Sequence, residues 1–187
     1  SLQKRKTAFQ VSKEGKLSGT LHTSFTGSQF ENHFSNLYNS LPDQNKQLKK
    51  YYDINNIVFN KIDYKVNQAD GPVLEENLDV HIRNYVVKNG NNYILTPNIF
   101  NTQRNIPESR NRINPLYINR GYTDIDETEF VFEEKLRGIL VPVDGTVECA
   151  MGKYELKISS DGQNVKYYRK LAIKDGTYPP EAYQAYF

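Results

Sequence analysis

The sequence predicts a mainly β protein, an antiparallel β-sandwich-like domain with a short helical insertion after the first hairpin and a short C-terminal helix start. Apolar residues alternate with polar residues through most of the chain, which is typical of half-buried strands. Helical spacing of apolar residues is confined to the segment after the first hairpin. Asp161-Gly162 lies between two alternating runs and is the strongest hairpin signal in the chain.

Composition excludes several classes of protein. The 187 residues suit one domain or two small ones, and we treat residues 1–187 as a single domain. The 24 Lys and Arg residues nearly balance the 22 Asp and Glu residues, which argues against a nucleic-acid-binding protein. No run approaches the roughly 18 apolar residues that a membrane span needs. A single cysteine excludes a disulfide framework.

The N-terminal segment predicts a β-hairpin. Alternation up to Val11 is followed by a turn at Lys13–Lys16, and it returns from Leu17 to Phe25.

The helical insertion follows this hairpin. Ser28 is the expected N-cap, with Glu31 three residues later. Apolar residues at helical spacing run from Phe30 to Leu41, and Pro42 is expected to end the helix. A second short helix is predicted from Asp43 to Tyr52.

The middle of the chain returns to a period of two. Strands are predicted at Ile57–Val66 and Leu78–Ile82, with turn residues at Gln68–Pro72 between them. The Val86-Val87 pair indicates a register change or a bulge. Residues 98–114 are polar and have no period, so we expect a long surface loop there.

The last third is again predicted to be β. A strand runs through Glu129–Phe132, and Leu136–Val143 is expected at an edge or a strand end because it contains Pro142. The hairpin around Asp161-Gly162 follows. Pro179-Pro180 predicts the start of a helix, because proline suits the first helical turn.

No catalytic, cofactor-binding or metal site is predicted, and no cofactor is expected. Cys149 would need a histidine base to act as a nucleophile, but His22, His33 and His81 lie in three separate predicted elements. We therefore favour a buried cysteine that packs as a small hydrophobic side chain. The histidines and the one cysteine do not have the spacing of a zinc site.

The acidic run Asp124–Glu129 has three interpretations: a calcium site, a solvated strand edge and a glycosidase pair of carboxylates. It could suggest calcium, but it lacks the interleaved Asn, Asp and Gly residues of a calcium loop. We favour a solvated strand edge whose charges discourage pairing with another chain. A glycosidase pair of carboxylates has no support from the sequence.

The 98–114 loop carries the candidate interaction residues. Arg104, Arg110 and Arg112 could bind an anionic partner, although three charges on a loop are more often simply solvated. The 14 tyrosines suggest glycan binding as an alternative, and the lack of Trp counts against it.

Several short motifs resemble a bacterial family. The segment Tyr167–Tyr183, in which an arginine-bearing strand leads into Tyr-Pro-Pro-Glu, resembles the closing motif of three-part envelope proteins. These have an N-terminal β domain, a transglutaminase-like core and a C-terminal domain of unknown function. Leu17–Thr20, Phe25–Asn32, Asn98–Phe100 and Asn114–Leu116 resemble further parts of that C-terminal domain.

The resemblance implies a β-sandwich-like module exported to the periplasm or cell surface of Gram-negative bacteria. The catalytic Cys, His and Asp of such proteins belong to the upstream core, so no catalytic role is carried onto this chain. The chain departs from the family at residues 135–143, where the family often has a Pro-Glu-Gly-Tyr turn and this sequence reads Lys135–Ile139.

We therefore expect a non-catalytic accessory or interaction module and not an enzyme. The expected partner is an upstream transglutaminase-like domain of the same chain, and the start at Ser1 without Met suggests a piece of a longer protein. An envelope protein or glycan is a further possible partner; nucleic acid is not expected. The alternatives are a glycan-binding module of the cell envelope and an enzyme that uses Cys149 or an acidic pair.

Overall fold

The computed structural model describes residues 1–68, 71–90, 92–101 and 112–182. It confirms the mainly β, antiparallel-rich prediction, which is consistent with a β-sandwich-like domain. The strands are β1 (Leu2–Val11), β2 (Leu17–Thr26), β3 (Ile57–Asn67), β4 (Val73–Ile82), β5 (Val87–Asn89), β6 (Asn92–Ile94), β7 (Leu116–Ile118), β8 (Tyr122–Phe132), β9 (Gly145–Cys149), β10 (Gly152–Ser160), β11 (Asn164–Ile173) and β12 (Gly176–Tyr178).

Eight strands form one large sheet in the order β3-β4-β2-β1-β8-β11-β10-β9. Neighbouring strands are antiparallel except β1 and β8, which run parallel from Leu2 opposite Thr123 to Val11 opposite Phe132. This parallel pair joins two antiparallel halves of the sheet, β3-β4-β2-β1 and β8-β11-β10-β9. Two small sheets, β12-β7 and β5-β6, complete the described strands.

The first hairpin forms as predicted. β1 and β2 pair along their full length, and Gly15 in the turn has a φ of 79°, a conformation that glycine adopts without steric cost. The Gly15 carbonyl accepts hydrogen bonds from the backbone N–H groups of Tyr85 and Val86, at 3.2 and 3.0 Å. A Cβ at Gly15 would lie 2.0 Å from the Val86 carbonyl oxygen. The hairpin turn is therefore docked against the segment that follows β4.

Side chains of the large sheet alternate between an inner face, which is covered, and an outer face, which is exposed. Along β1, Phe9 and Val11 are buried on the inner face, whereas Lys6 and Ala8 are exposed on the outer face. The inner face supplies most of the hydrophobic core. Its buried members include Leu17, Leu21, Leu78, Val80, Ile82, Phe130, Phe132, Val165 and Tyr167.

The helical insertion covers part of the inner face. It consists of α1 (Ser28–His33), a 3-10 turn (Phe34–Tyr38) and α2 (Leu41–Tyr52). Leu48 and Tyr52 of α2 are buried in the hydrophobic core. No helix among the described residues is long and apolar enough to span a membrane.

The boundaries of these helices differ from the prediction. Pro42 lies in the first turn of α2 and does not end a helix, and Gly27 rather than Ser28 is the N-cap of α1. The Ser40 hydroxyl accepts a hydrogen bond from the Asp43 backbone N–H at 3.4 Å. A proline fits either just after a helix or in its first turn, and the Ser40 cap decides for the first turn.

The predicted edge strand at Leu136–Val143 is wrong, because the structure has no strand in that segment. Gly138 has a φ of 63°, and the segment crosses the surface as a loop. The bulge predicted at Val86-Val87 is also wrong. The register shift lies instead in β3, between Phe59 and Lys61.

At the C-terminus, β12 leads into a short 3-10 turn at residues 180–182, where the sequence predicted a helix start. The ends of the predicted long loop, residues 98–101 and 112–114, contain neither helix nor strand. Residues 102–111 and 183–187 lie outside the described residues.

Candidate functional site

Three charged side chains lie together on the inner face, where the two halves of the large sheet meet. Arg5 of β1 is opposite Asp126 of β8, which is opposite Arg169 of β11. Nη1 of Arg5 donates to Oδ1 of Asp126 at 2.8 Å, and Nη1 of Arg169 donates to Oδ2 at 2.8 Å. Arg5 and Asp126 are each 1% exposed and Arg169 is 7% exposed. We call this group the Arg–Asp–Arg triad.

The prediction that Asp124–Glu129 forms a solvated strand edge is wrong. These residues belong to β8, which is a central strand. Glu127 is on the outer face, 3.4 Å from Lys4 Nζ and 3.8 Å from Lys6 Nζ. Asp126 is on the inner face, because successive side chains of a strand point to opposite faces.

Aromatic rings and an amide complete the surroundings of the triad. The guanidinium carbon of Arg5 lies 4.8 Å from the centroid of the Phe100 ring and 5.3 Å from that of Tyr52, distances typical of cation–π contacts. Nδ2 of Asn101 donates to Oδ2 of Asp126 at 3.0 Å. Burial alone lowers the pKa of Arg5, but the neighbouring Tyr52 and Asp126 raise it above its ordinary value overall. Arg5 therefore stays charged in the core.

A second buried carboxylate, Glu76 of β4, lies in the other half of the sheet. Tyr52 Oη donates to its Oε1 at 2.6 Å, and Tyr64 Oη donates to its Oε2 at 2.5 Å. Burial raises the pKa of Glu76, although the two tyrosine hydrogen bonds and the charge of Arg5 oppose that shift. Tyr52 thus contacts both charged groups and links α2 to the sheet.

His33 of α1 is buried beside this cluster. Its ring stacks on Phe25 with centroids 4.1 Å apart and meets the Tyr51 ring edge-on at 4.8 Å. Burial, and then the positive charge of Arg5, lower the pKa of His33 from 6.5 to about 4. The imidazole is therefore neutral at pH 7.

This geometry supports a structural role for the buried charges. Each oxygen of Asp126 and Glu76 accepts a hydrogen bond from a neighbouring side chain, and both carboxylates are sealed from solvent. A general acid or base must reach its substrate, and these groups instead contact β1, β11, α2 and β3. Removing one partner of such a group leaves an uncompensated buried charge, which is strongly destabilising.

Arg5 and Glu76 are not among the predicted site residues, although the sequence carries a signal for both. Arg5 is in phase with Phe9 and Val11 along β1, and Glu76 is in phase with Leu78 along β4. A charged residue in the inward phase of a strand indicates a buried, paired charge.

The predicted interaction loop lies only partly within the described residues. Arg104 and Arg110 lie outside the described residues. Arg112 donates from Nε to the Asn114 carbonyl oxygen at 2.9 Å and from Nη2 to the Pro115 carbonyl oxygen at 3.4 Å. Its guanidinium therefore contacts its own loop, and the binding of an anionic partner stays a prediction.

Cys149 differs from its predicted environment. It is half-buried, not buried, at the end of the edge strand β9. His22 and His81 contact Asn77 and Asn60 in the β3-β4-β2-β1 half, so the structure does not bring them to Cys149. Within the described ranges, no group of three or more His, Cys, Asp or Glu side chains could hold a metal ion.

The outer face of the large sheet carries an open groove of about 700 Å3. Small side chains, Ala8 and Thr20, lie between charged ones on neighbouring strands. We call this the outer groove; its other lining side chains include Lys6, His22, Glu127, Glu129, Lys166 and Tyr168.

Residues 91–187 match the model of a family described as a domain of unknown function with solved-structure structure, DUF3858. The match covers slightly more than half of the 187 residues. The chain belongs to the DUF3858 family. No curated protein and no solved structure matches the chain.

The DUF3858 segment supplies only part of the buried charge cluster. Asp126 and Arg169 lie within it, whereas Arg5, Tyr52 and Glu76 come from residues before it. The strands β8, β11, β10 and β9 also lie within the matched residues, and β1 pairs with β8 from outside them. The DUF3858 half of the sheet thus shares one core with the preceding half.

Proposed function

We propose that the chain is a non-catalytic accessory module that binds a protein partner, and that this partner is a transglutaminase-like core encoded upstream. The observation that carries the proposal is the contrast between the two faces of the sheet. The buried carboxylates on the inner face are sealed and paired, whereas the outer groove is open to solvent. A rigid sheet with one open face is better suited to binding a partner than to catalysis.

The composition of the outer groove supports a polar protein surface as its occupant. Lysine and glutamate alternate across its strands, as with Lys6 opposite Glu127 and Lys166 opposite Glu129. Mixed charges of this kind fix the orientation of a partner more than they raise its affinity. The small side chain of Ala8 leaves room for contact with the sheet itself.

The identity of the partner rests on the motifs that resemble the three-part envelope proteins, above all Tyr167–Tyr183. The same resemblance supports a location in the periplasm or at the cell surface of Gram-negative bacteria. In this arrangement the upstream core carries the catalytic residues, and the present chain orients or gates it.

The test measures binding of this chain to the transglutaminase-like core encoded upstream in its reading frame, by titration calorimetry. We expect Ala8→Arg, which fills the outer groove, to weaken binding by at least about tenfold, or about 1.4 kcal/mol. Ala150→Arg is the matched control, because Ala150 is also exposed but lies outside the groove. An upstream frame without such a core, or a core that does not bind, would remove the proposal.

Glycan binding is the second candidate, and one feature of the same groove favours it. The ring of Tyr168 lies among hydroxyl and charged side chains, which is the chemistry that a sugar ring requires. Glycan-array binding by the unmodified chain that is lost in Ala8→Arg would support this candidate over a protein partner.

A further inference from the structure

We propose that β9 pairs with β9 of a second copy of this chain, antiparallel, so that two large sheets join edge to edge. The inference concerns the edge of the sheet and does not depend on the partner proposed for the outer groove. It rests on the difference between the two edges, on exposed apolar residues beside β9, and on the sequence of β9 itself.

The two edges of the large sheet are protected to different degrees. The β3 edge carries exposed Lys61 and Lys65 and a register shift after Phe59, all of which discourage pairing with another chain. β9 has β10 as its neighbour on one side and no partner among the described residues on the other. Its five residues include one charge, Glu148, and no proline or lysine. The β3 edge is therefore better protected against strand addition than the β9 edge.

Apolar side chains are exposed beside the open edge. Val147 of β9 is 64% exposed, and Leu140 and Val143 in the preceding loop are 97% and 89% exposed. Val147 is opposite Tyr154 of β10, which is on the same face as the core residue Tyr167 of β11. The inner face thus continues to β9, where the helical insertion no longer covers it. Concentrated apolar exposure of this kind marks an interaction surface.

The sequence of β9 is complementary to itself. In antiparallel pairing centred on Val147, the two Val147 side chains are directly opposite each other, and Thr146 of each copy is opposite Glu148 of the other. No like charges are then directly opposite, and the central pair is β-branched, which suits a sheet. A two-fold axis through the Val147 pair keeps both inner faces on the same side. The net charge of +2 gives little repulsion between copies.

Sedimentation velocity of the 187-residue chain over a range of concentrations tests the association. We expect a monomer–dimer equilibrium whose dissociation constant rises at least about tenfold in Val147→Lys, because the change places two like charges opposite each other. Val87→Lys is the matched control, since Val87 of β5 is also a strand valine and is 55% exposed. A chain that stays monomeric, or a dimer that Val147→Lys leaves unchanged, would overturn the proposal.

Cross-linking tests the register. In a Cys149→Ser background, Val147→Cys should form a disulfide-linked dimer under copper–phenanthroline, because directly opposite Cα atoms in an antiparallel pair are about 4.5–5.5 Å apart. Val87→Cys in the same background should not. The native Cys149 should not cross-link either, since the two copies of Cys149 would be about 14 Å apart along the strands. Equal cross-linking at Val87→Cys, or cross-linking through native Cys149, would contradict this register.

Discussion

At the residue scale, Asp126 accepts hydrogen bonds from the guanidinium groups of Arg5 and Arg169 and from the amide of Asn101. Asp126→Asn keeps the shape of the side chain but removes the carboxylate charge that the two buried guanidinium groups share. We expect it to lower the free energy of unfolding by about 3–5 kcal/mol. Urea denaturation followed by circular dichroism measures this change.

Glu127→Gln is the control for that experiment, because it makes the same chemical change at the next residue of β8. Glu127 is on the outer face, and its ion pairs with Lys4 and Lys6 are partly exposed. The expected loss is therefore below about 1 kcal/mol. Similar losses for the two variants would contradict a structural role for the Arg–Asp–Arg triad.

The lowered pKa of His33 predicts that the stability of the fold depends on pH. Its pKa in the folded protein is about 4, below its ordinary value of 6.5, because burial and Arg5 disfavour the imidazolium form. Between these values the unfolded chain binds more protons, so His33 stabilises the fold above pH 6.5 and loses that contribution as the pH falls to 4. The loss is about 3 kcal/mol.

The His33 contribution is measured as the difference between the unmodified chain and His33→Phe in the free energy of unfolding, at pH 7 and at pH 4.5. Phenylalanine keeps the stacking on Phe25 but does not titrate. The unmodified chain should lose stability relative to His33→Phe as the pH falls. A constant difference would show that His33 titrates normally in the folded protein.

At the element scale, the first hairpin depends on close approach of Gly15 to the segment after β4. Gly15→Ala would place a Cβ 2.0 Å from the Val86 carbonyl oxygen. Gly90→Ala is a suitable control, because Gly90 also has a positive φ, of 61°, but nothing lies within 4 Å of its added Cβ. We expect Gly15→Ala to cost at least about 2 kcal/mol more than Gly90→Ala in thermal or urea unfolding. Equal losses of stability in the two variants would mean that the Gly15 turn moves away from Val86 without cost.

The sequence predicts most of the strands, but it predicts fewer of the residues at which the elements begin and end. The first hairpin and the Asp161-Gly162 hairpin follow from alternation and turn residues, which act within a few positions of the chain. The predictions for Pro42 and for Leu136–Val143 are wrong, because the pattern at each is compatible with two local structures. The Ser40 cap places Pro42 in the first turn of α2. For Leu136–Val143, the strand pattern alone did not establish a pairing partner in the sheet.

At the scale of the whole molecule, the DUF3858 segment and the residues before it share one sheet. The segment 91–187 alone lacks β1 and the Arg5 guanidinium, so Asp126 of β8 would lose one of its two counter-charges. We expect the isolated segment to show no cooperative thermal unfolding by circular dichroism, whereas the full chain unfolds cooperatively. Adding residues 1–90 in trans should restore the transition. A segment 91–187 that folds alone would show that the parallel β1–β8 junction is dispensable.

The buried charge cluster was the least predictable part of the molecule. From the sequence, Arg169 belongs only to the closing motif, and Asp126 is predicted to lie on a solvated strand edge. Arg5 and Asp126 are 121 residues apart in the chain, and Asp126 and Arg169 are 43 apart, yet their side chains form hydrogen bonds across β1, β8 and β11. Local alternation shows that Arg5 is in phase with buried residues, but it does not identify a partner on a distant strand.

The amino-acid order by itself determined the period of two along the chain, the hairpin turns and the position of the helical insertion, because these depend on neighbours within a few residues. Tertiary structure alone decided that β1 lies parallel to β8, and hence that Asp126 lies between two arginines. That pairing joins segments more than a hundred residues apart, and no local pattern records which distant strand supplies the partner that a buried charge requires.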